Sequence, residues 1–287
     1  MTPFNEAQPT GILFSGLPST GKTTYLALLY LAIVEDRAAR LKLGRYSDDR
    51  EYLNGISARL QRCEPAVRTE VDEQKTLSLS LLVGPEERST ILQIPDTSGE
   101  LWEAALVERH MPTEIDERAR NAEAVVIFVH CKNDFDSGTT IEEAGAADAA
   151  AHGETAPSLT GEDHPPGRSP TQVELVELLQ ILREDRGPRP ARGCLAVSAF
   201  DLVPQPMTPD EWVASNLPLL AQYVQVNRDW LEFTTFGVSA QGGRFDRPDL
   251  TASLLAQDAL DRASLVWADG TVGEIGDPVL WALNIRG

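Results

Sequence analysis

Glycines, a lysine and threonines near the start of the chain are spaced as a phosphate site would require. Residues 16–24 read Gly-Leu-Pro-Ser-Thr-Gly-Lys-Thr-Thr, which fits the pattern Gly-x-x-x-x-Gly-Lys-Thr. In such a loop successive backbone N–H groups donate to phosphate oxygens, and glycine leaves no side chain in their way. The pattern therefore predicts a phosphate loop that binds a nucleotide.

The side chains of this phosphate loop have separate expected tasks. Lys22 can reach the β- and γ-phosphates as a point charge, so it is also a predicted catalytic residue. The Thr23 hydroxyl can bind Mg²⁺, and the N-terminus of the following helix adds a favourable dipole. The predicted nucleotide contacts in the loop are Gly16, Pro18, Ser19, Thr20, Gly21, Lys22, Thr23 and Thr24.

A second motif, Asp96-Thr-Ser-Gly-Glu100, stands directly after the apolar run Ile91 to Ile94. A carboxylate at a strand end beside a phosphate loop can hold Mg²⁺ through water, so Thr23 and Asp96 are the predicted metal residues. Gly99 offers a backbone N–H that could meet the γ-phosphate. Alone, this motif would be an ordinary turn, but its place after a hairpin strand favours a role at the nucleotide.

Two later motifs follow apolar runs and suit the recognition of a base. Residues 198–201 read Ser-Ala-Phe-Asp, and residues 239–241 read Ser-Ala-Gln. The carboxylate of Asp201 can accept hydrogen bonds from N1 and the 2-amino group of guanine, whereas adenine offers no such pair of donors. A backbone N–H at Ser239 or Ala240 could donate to the guanine 6-oxygen. The alternative for Asp201 is a solvated loop carboxylate.

The elements that must position these motifs alternate along the chain. Predicted strands cover residues 11–15, 77–83, 90–94, 124–131, 194–198 and, as the last, 233–239, and predicted helices lie at 23–36, 101–121, 172–185, 209–223 and 250–262. This order predicts an α/β P-loop NTPase fold, a mainly parallel sheet with one antiparallel hairpin strand and helices on both faces. Ligands bind at the carboxyl ends of such strands, where every motif falls.

Composition narrows the classes of function. The net charge of −19 disfavours binding to nucleic acid or to an anionic membrane. Isolated cysteines (Cys63, Cys131 and Cys194) indicate neither a disulfide framework nor a zinc site, and they suit a cytoplasmic protein. The longest apolar run, residues 26–34, is too short to span a membrane. Residues 132–170 hold small and acidic residues, which predicts a disordered insertion in a single domain over residues 1–287.

In this order, the four motifs resemble the nucleotide-binding motifs of TRAFAC-class GTPases, the class that includes Ras-like proteins, over about residues 10–242. Residues 16–30, the motif at 96–100 and the helix at 170–179 look like the bacterial double-GTPase family. The resemblance implies one Ras-like GTPase domain that binds GTP or GDP with Mg²⁺ and acts as a molecular switch. It also implies a protein partner, either an activator or an effector, in a bacterial multi-protein defence or regulatory system.

Two positions depart from the Ras-like pattern. Ala199 stands where most such GTPases have a lysine along the base, so guanine selection would rest mostly on Asp201. Glu100 replaces a glutamine that positions water, and its repulsion from the γ-phosphate predicts slow hydrolysis that an activating partner would speed. The switch threonine implied by the resemblance is Thr69, with Thr76 as the alternative. The predicted catalytic residues are Lys22, Thr69, Gly99 and Glu100.

Two other functions stay open at this point. The missing lysine at Ala199 is compatible with an ATPase or a small-molecule kinase on the same scaffold, although the acidic segment at 132–170 is unlike the basic lid that such kinases use. Glu100 is compatible with a scaffold that binds GTP without hydrolysing it and only recruits partners.

Overall fold

The strands and helices follow the alternation expected from the sequence. A computed structural model describes residues 10–16, 19–44, 49–64, 75–96, 120–132, 171–186, 191–245 and 248–285. The strands are β1 (Thr10–Ser15), β2 (Leu41–Leu43), β3 (Lys75–Val83), β4 (Arg88–Asp96), β5 (Ala122–His130), β6 (Ala191–Ser198), β7 (Leu231–Ser239), β8 (Ser264–Trp267) and β9 (Val272–Gly273). The helices are α1 (Lys22–Val34), α2 (Arg50–Gln61), α3 (Thr171–Arg186), α4 (Pro209–Asn216), α5 (Pro218–Val226), α6 (Pro248–Leu255), α7 (Ala259–Arg262) and α8 (Asp277–Ala282).

The described strands form one nine-stranded sheet in the order β2-β3-β4-β1-β5-β6-β7-β8-β9. The five central strands, from β4 to β7, run parallel to one another. Antiparallel strands extend both edges, with β3 and β2 beyond β4 and with β8 and β9 beyond β7. The predicted α/β fold class is confirmed, because the sheet is mainly parallel and carries the expected β3–β4 hairpin.

Alternating side chains of the central strands enter two separate hydrophobic cores, one on each face of the sheet. Ile12 and Phe14 of β1 pack into the core that contains α1, α2 and α8. Leu13, between them, packs into the core that contains α3, α4 and α5. Helices therefore cover both faces, and central strands buried on both sides need the continuous apolar runs seen in β1 and β5.

Some short elements were not predicted. Residues 233–239 were predicted to form the last strand. This prediction is wrong, because β8 and β9 extend the sheet after β7. No strand was predicted in residues 37–62, where the structure has β2. These three strands have only two to four residues each, too few to display a period of two. The predicted helix at 250–262 is divided into α6 and α7, since Asp258 begins a new helix by accepting a hydrogen bond from the backbone N–H of Leu260.

Other predictions concern parts of the chain that the structure does not describe. The insertion at 132–170 lies outside the described residues except for its first residue, and the helix at 101–121 lies outside them except for its last two. Within the ranges that are described, no helix has the length and apolar character needed to cross a membrane.

Candidate functional site

The phosphate loop connects the carboxyl end of β1 to the first turn of α1. Two of its glycines are in the left-handed region, Gly16 at φ +133° and Gly21 at φ +91°. A Cβ on Gly16 would lie 2.5 Å from the backbone oxygen of Phe128, and one on Gly21 would lie 3.0 Å from the Ser198 side chain. Both positions therefore need glycine for the backbone angle and for the close approach of β5 and β6.

Lys22, the first residue of α1, extends its side chain back across the phosphate loop. Its Nζ donates to the Gly16 carbonyl oxygen at 2.7 Å and to Thr20 Oγ1 at 3.4 Å. The first turn of α1 carries no acidic side chain, so no carboxylate there neutralises the positive end of the helix dipole. The loop thus combines an ammonium group with a helix N-terminus, an arrangement suited to phosphate.

Asp96 lies at the edge of the sheet where the phosphate loop begins. In the parallel pairing of β1 with β4, Leu13 is opposite Gln93, so β1 and β4 end at the same edge of the sheet. Asp96 is the last residue of β4, whereas the strand predicted at 90–94 ended before it, and its backbone pairs with Lys75 across the hairpin. The strand ends therefore bring the predicted metal residue Asp96 to the same edge as Thr23 in the first turn of α1.

Several predicted site residues lie outside the described residues: Pro18, Thr69, Gly99 and Glu100. Thr76, the alternative to Thr69, is within β3, one residue before the predicted start of that strand at residue 77. Ser19, Thr20, Thr23 and Thr24 belong to the described part of the phosphate loop and the start of α1, where Thr20 is buried.

The two motifs predicted to recognise a base, 198–201 and 239–241, meet at the carboxyl ends of β6 and β7. Phe200 is buried in the core and begins a single 3₁₀ turn, which leaves Asp201 exposed above it. The hydroxyl of Ser239 donates to Asp201 Oδ1 at 2.5 Å. Ser239 is 2% exposed, so a buried hydroxyl fixes the direction of an exposed carboxylate.

Ser198 lies where the predicted base-recognition motif at 198–201 approaches the phosphate loop. It is buried, and its Oγ has no hydrogen-bond partner among the described residues. The space beside this hydroxyl is the one that a Cβ on Gly21 would enter. Three of the four predicted motifs are therefore adjacent through described contacts, and the fourth reaches the same edge through the β1–β4 pairing.

The end of β5 supports the turn at Ala199, which the sequence did not indicate. Ala199 has φ +53°, unusual for a residue with a Cβ. Cys131 donates its backbone N–H to the Ser198 oxygen at 3.1 Å and its thiol to the Ala199 oxygen at 3.0 Å. Burial, with a contribution from the negative charge of Asp201, raises the pKa of Cys131 to about 11, so the thiol keeps its donor proton at neutral pH.

His130 precedes this cysteine and pairs with Ser198 in the sheet register. Its Nδ1 accepts a hydrogen bond from the backbone N–H of Lys132 at 3.1 Å. Burial and the positive charge of Lys132 lower the pKa of His130, and the charge of Asp201 acts in the opposite direction. The neutral imidazole is therefore favoured, which suits its role as an acceptor in this turn.

The fold is that of an α/β P-loop protein, because a phosphate loop follows the first strand of a mainly parallel sheet. The Asp–Ser pair at neighbouring strand ends fits the layout of a GTPase domain. The chain matches the model of DO-GTPase1, Double-GTPase 1, over residues 13–282, and it belongs to this double-GTPase family. Membership of this family supports the conclusion that the chain is a GTP-binding protein.

Solved structures of GTPases resemble the chain at low identity. One is the signal recognition particle receptor SRb-GTP/SRX complex from Chaetomium thermophilum, at 15% identity and a TM-score of 0.40, covering 81% of this chain and 91% of that one. Another is the S. cerevisiae Ski7 GTPase-like domain bound to GDP and inorganic phosphate, at 13% identity and a TM-score of 0.42, covering 80% of this chain and 43% of that one. No curated protein sequence matches the chain.

Proposed function

We propose that this protein binds GTP and GDP with Mg²⁺ at the carboxyl edge of its sheet and acts as a molecular switch with slow hydrolysis. The observation that carries the proposal is the hydrogen bond of 2.5 Å between Ser239 and Asp201, next to the close approach of Ser198 to Gly21, where a Cβ would not fit without a shift. Both observations support the proposal that Asp201 selects guanine beside a loop that binds the phosphates.

The phosphate groups of the nucleotide would lie in the loop of residues 16–24. Lys22 would exchange its present bond to the Gly16 carbonyl for phosphate oxygens, which a charged donor binds more strongly. Thr23 and Asp96 offer a hydroxyl and a carboxylate, the oxygen ligands that Mg²⁺ prefers, and water and phosphate would complete its shell. The bound Mg²⁺ would neutralise charge on the phosphates during hydrolysis.

The base would be selected mainly by Asp201. Its carboxylate would accept from N1 and the 2-amino group of guanine, while a backbone N–H of Ser239 or Ala240 would donate to the 6-oxygen. Ala199 offers no long side chain to cover the base, so selection depends on how firmly Asp201 is held. Ser239 and Cys131 supply that support from neighbouring strand ends.

The switch itself would involve Thr69, Gly99 and Glu100. Loss of the γ-phosphate would release the segments around these residues and change a surface read by a protein partner. Repulsion between Glu100 and the γ-phosphate supports slow intrinsic hydrolysis and an activating partner. We propose that the switch serves a bacterial multi-protein defence or regulatory system in the cytoplasm.

Binding of GDP and ADP to the purified protein, with Mg²⁺ present, tests the central part of the proposal. We expect GDP to bind at least about tenfold more tightly than ADP, because about one hydrogen bond to a charged group contributes that much affinity. Equal or tighter binding of ADP would reject guanine selection and favour an ATPase, for which the missing lysine at Ala199 is the supporting observation. Turnover of GTP, with ATP as the comparison, then separates a slow GTPase from a scaffold that does not hydrolyse.

A further inference from the structure

Arg262, the last residue of α7, is a buried arginine whose guanidinium group contacts backbone carbonyls. Only 8% of the residue is exposed. Its Nε donates to the Gln241 oxygen at 3.1 Å, and its Nη1 donates to the oxygens of Leu254 at 3.0 Å and Gln257 at 3.5 Å. Its Nη2 donates to the Leu60 oxygen at the end of α2.

These acceptors belong to three separate parts of the fold. Gln241 lies in the segment that ends β7 and follows it (residues 239–243, the base loop). Leu254 lies in the last turn of α6 and Gln257 two residues beyond that helix, and Leu60 lies in α2. Burying an arginine is costly unless its donors are satisfied, and no carboxylate among the described residues forms an ion pair with Arg262. The carbonyls therefore provide its compensation, and the same bonds tie the three segments together.

The base loop also packs closely against the backbone of Arg262. Gly242 has φ +70°, and a Cβ there would lie 2.3 Å from the Arg262 oxygen and 2.8 Å from its Cβ. The guanidinium carbon is 5.7 Å from the centre of the Phe245 ring, just beyond the loop. Arg262 thus contacts the base loop through its main chain and through a hydrogen bond, and it contacts Phe245, just beyond the loop, through a cation–π interaction.

The unpredicted strand β8 explains how a residue so late in the chain reaches this loop. β8 pairs antiparallel with β7, and Ser264 is opposite Ser239. The chain therefore returns to the carboxyl end of β7 two residues after Arg262. This is the strand end at which Ser239 bonds Asp201.

We propose that Arg262 is a positioning residue that holds the base loop in the shape that receives the guanine 6-oxygen. The inference rests on the proposed function, because it assigns the base end of that nucleotide site. Arg262 does not touch the nucleotide itself; it fixes the main chain whose N–H groups do. Its effect falls on the choice of base and not on the phosphates, which the loop after β1 binds.

The test uses the full chain with Arg262→Lys, Arg262→Met and a control, Arg37→Met. Lysine keeps the charge but lacks the planar fork that reaches the base loop and α2 together, while methionine removes all donors. Arg37 is a matched control because it bonds Asp261, the neighbour of Arg262, at 2.7 Å on the exposed surface of the same helix. Dissociation constants for GDP and ADP are measured with Mg²⁺, and melting temperatures are measured without nucleotide.

The wild type tests the proposed function alone, since equal binding of GDP and ADP would reject that function whatever the variants do.

If Arg262 positions the base loop, Arg262→Lys lowers GDP affinity about tenfold and leaves ADP affinity unchanged. A tenfold loss is in the upper range for one hydrogen bond. Arg262→Met lowers GDP affinity at least as much, and Arg37→Met keeps the wild-type ratio. A folded Arg262→Lys protein that melts earlier but keeps the GDP-to-ADP ratio would overturn the inference. Should Arg262→Met fail to fold, Arg262→Lys decides alone.

Discussion

Replacing Asp201 by asparagine should exchange guanine for xanthine as the preferred base. Ser239 is buried and its hydroxyl donates to Asp201 Oδ1 at 2.5 Å. In Asp201→Asn the amide oxygen should take the Oδ1 position, because only then does the buried hydroxyl keep an acceptor. The amide NH₂ consequently replaces Oδ2 and faces the base, so a hydrogen-bond donor stands where guanine needs an acceptor.

The expected loss of GDP affinity follows from the loss of one hydrogen bond to a charged group. Such a bond contributes about 1.5–3 kcal/mol, so GDP affinity should fall about 10- to 150-fold. Xanthine carries a 2-oxygen in place of the 2-amino group of guanine, and this oxygen can accept from the new NH₂. The affinity for xanthosine diphosphate should therefore rise in the variant while the affinity for GDP falls.

Competition against a fluorescent guanine nucleotide, with GDP and xanthosine diphosphate as competitors, gives both affinities on one sample. Ser239→Ala is the matched control, since it removes the orienting hydroxyl and leaves the carboxylate chemistry intact. It should weaken GDP binding without creating a preference for xanthine. An Asp201→Asn protein that loses affinity for both nucleotides, or for neither, would show that Asp201 does not read the base.

Three further changes test other parts of the site and fold. Lys22→Ala should weaken GTP binding about 100-fold or more, because charged bonds to the β- and γ-phosphates are lost. Lys42→Ala, at an exposed pair with Glu87, should leave the GTP affinity measured by titration calorimetry unchanged. Tyr25→Phe removes a hydroxyl that donates to the Ile275 oxygen at 2.7 Å and should lower the free energy of unfolding by about 1 kcal/mol in urea titrations. Burial raises the pKa of Cys131 from 9.0 to about 11, so the folded state holds this proton more tightly and stability should fall as pH rises from 9 to 11. The fall should be smaller in Cys131→Ser, and an equal fall would exclude Cys131 as its source.

Local patterns predicted the parts of the fold that local physics determines. The apolar runs of β1 and β5 indicated strands buried on both faces, and the period of two at 77–83 indicated the β3–β4 hairpin. The glycine spacing at residues 16–21 reflects backbone angles and close approaches that glycine alone tolerates. Each of these signals lies within a few consecutive residues, so a single sequence can reveal it.

Contacts between distant residues left no such signal. Nothing near Cys131 indicates that its thiol meets the oxygen of Ala199, which is 68 positions away. Arg262 reaches Leu60 across 202 positions, and it does so because the four-residue strand β8 returns to β7. Such pairs depend on the register of the whole sheet, which local periodicity does not determine.

These distant contacts affect how the protein could select a base without the lysine that Ala199 replaces. A short side chain at that position cannot cover the base, and a positive φ there adds strain of about 1 kcal/mol. Both losses can be offset only by neighbours that hold the main chain in place. Cys131 bonds the strained turn, Ser239 directs Asp201, and Arg262 holds the base loop. Base selection in this protein would thus come from the rigidity of two loops, so substitutions remote from the nucleotide should alter its choice of base.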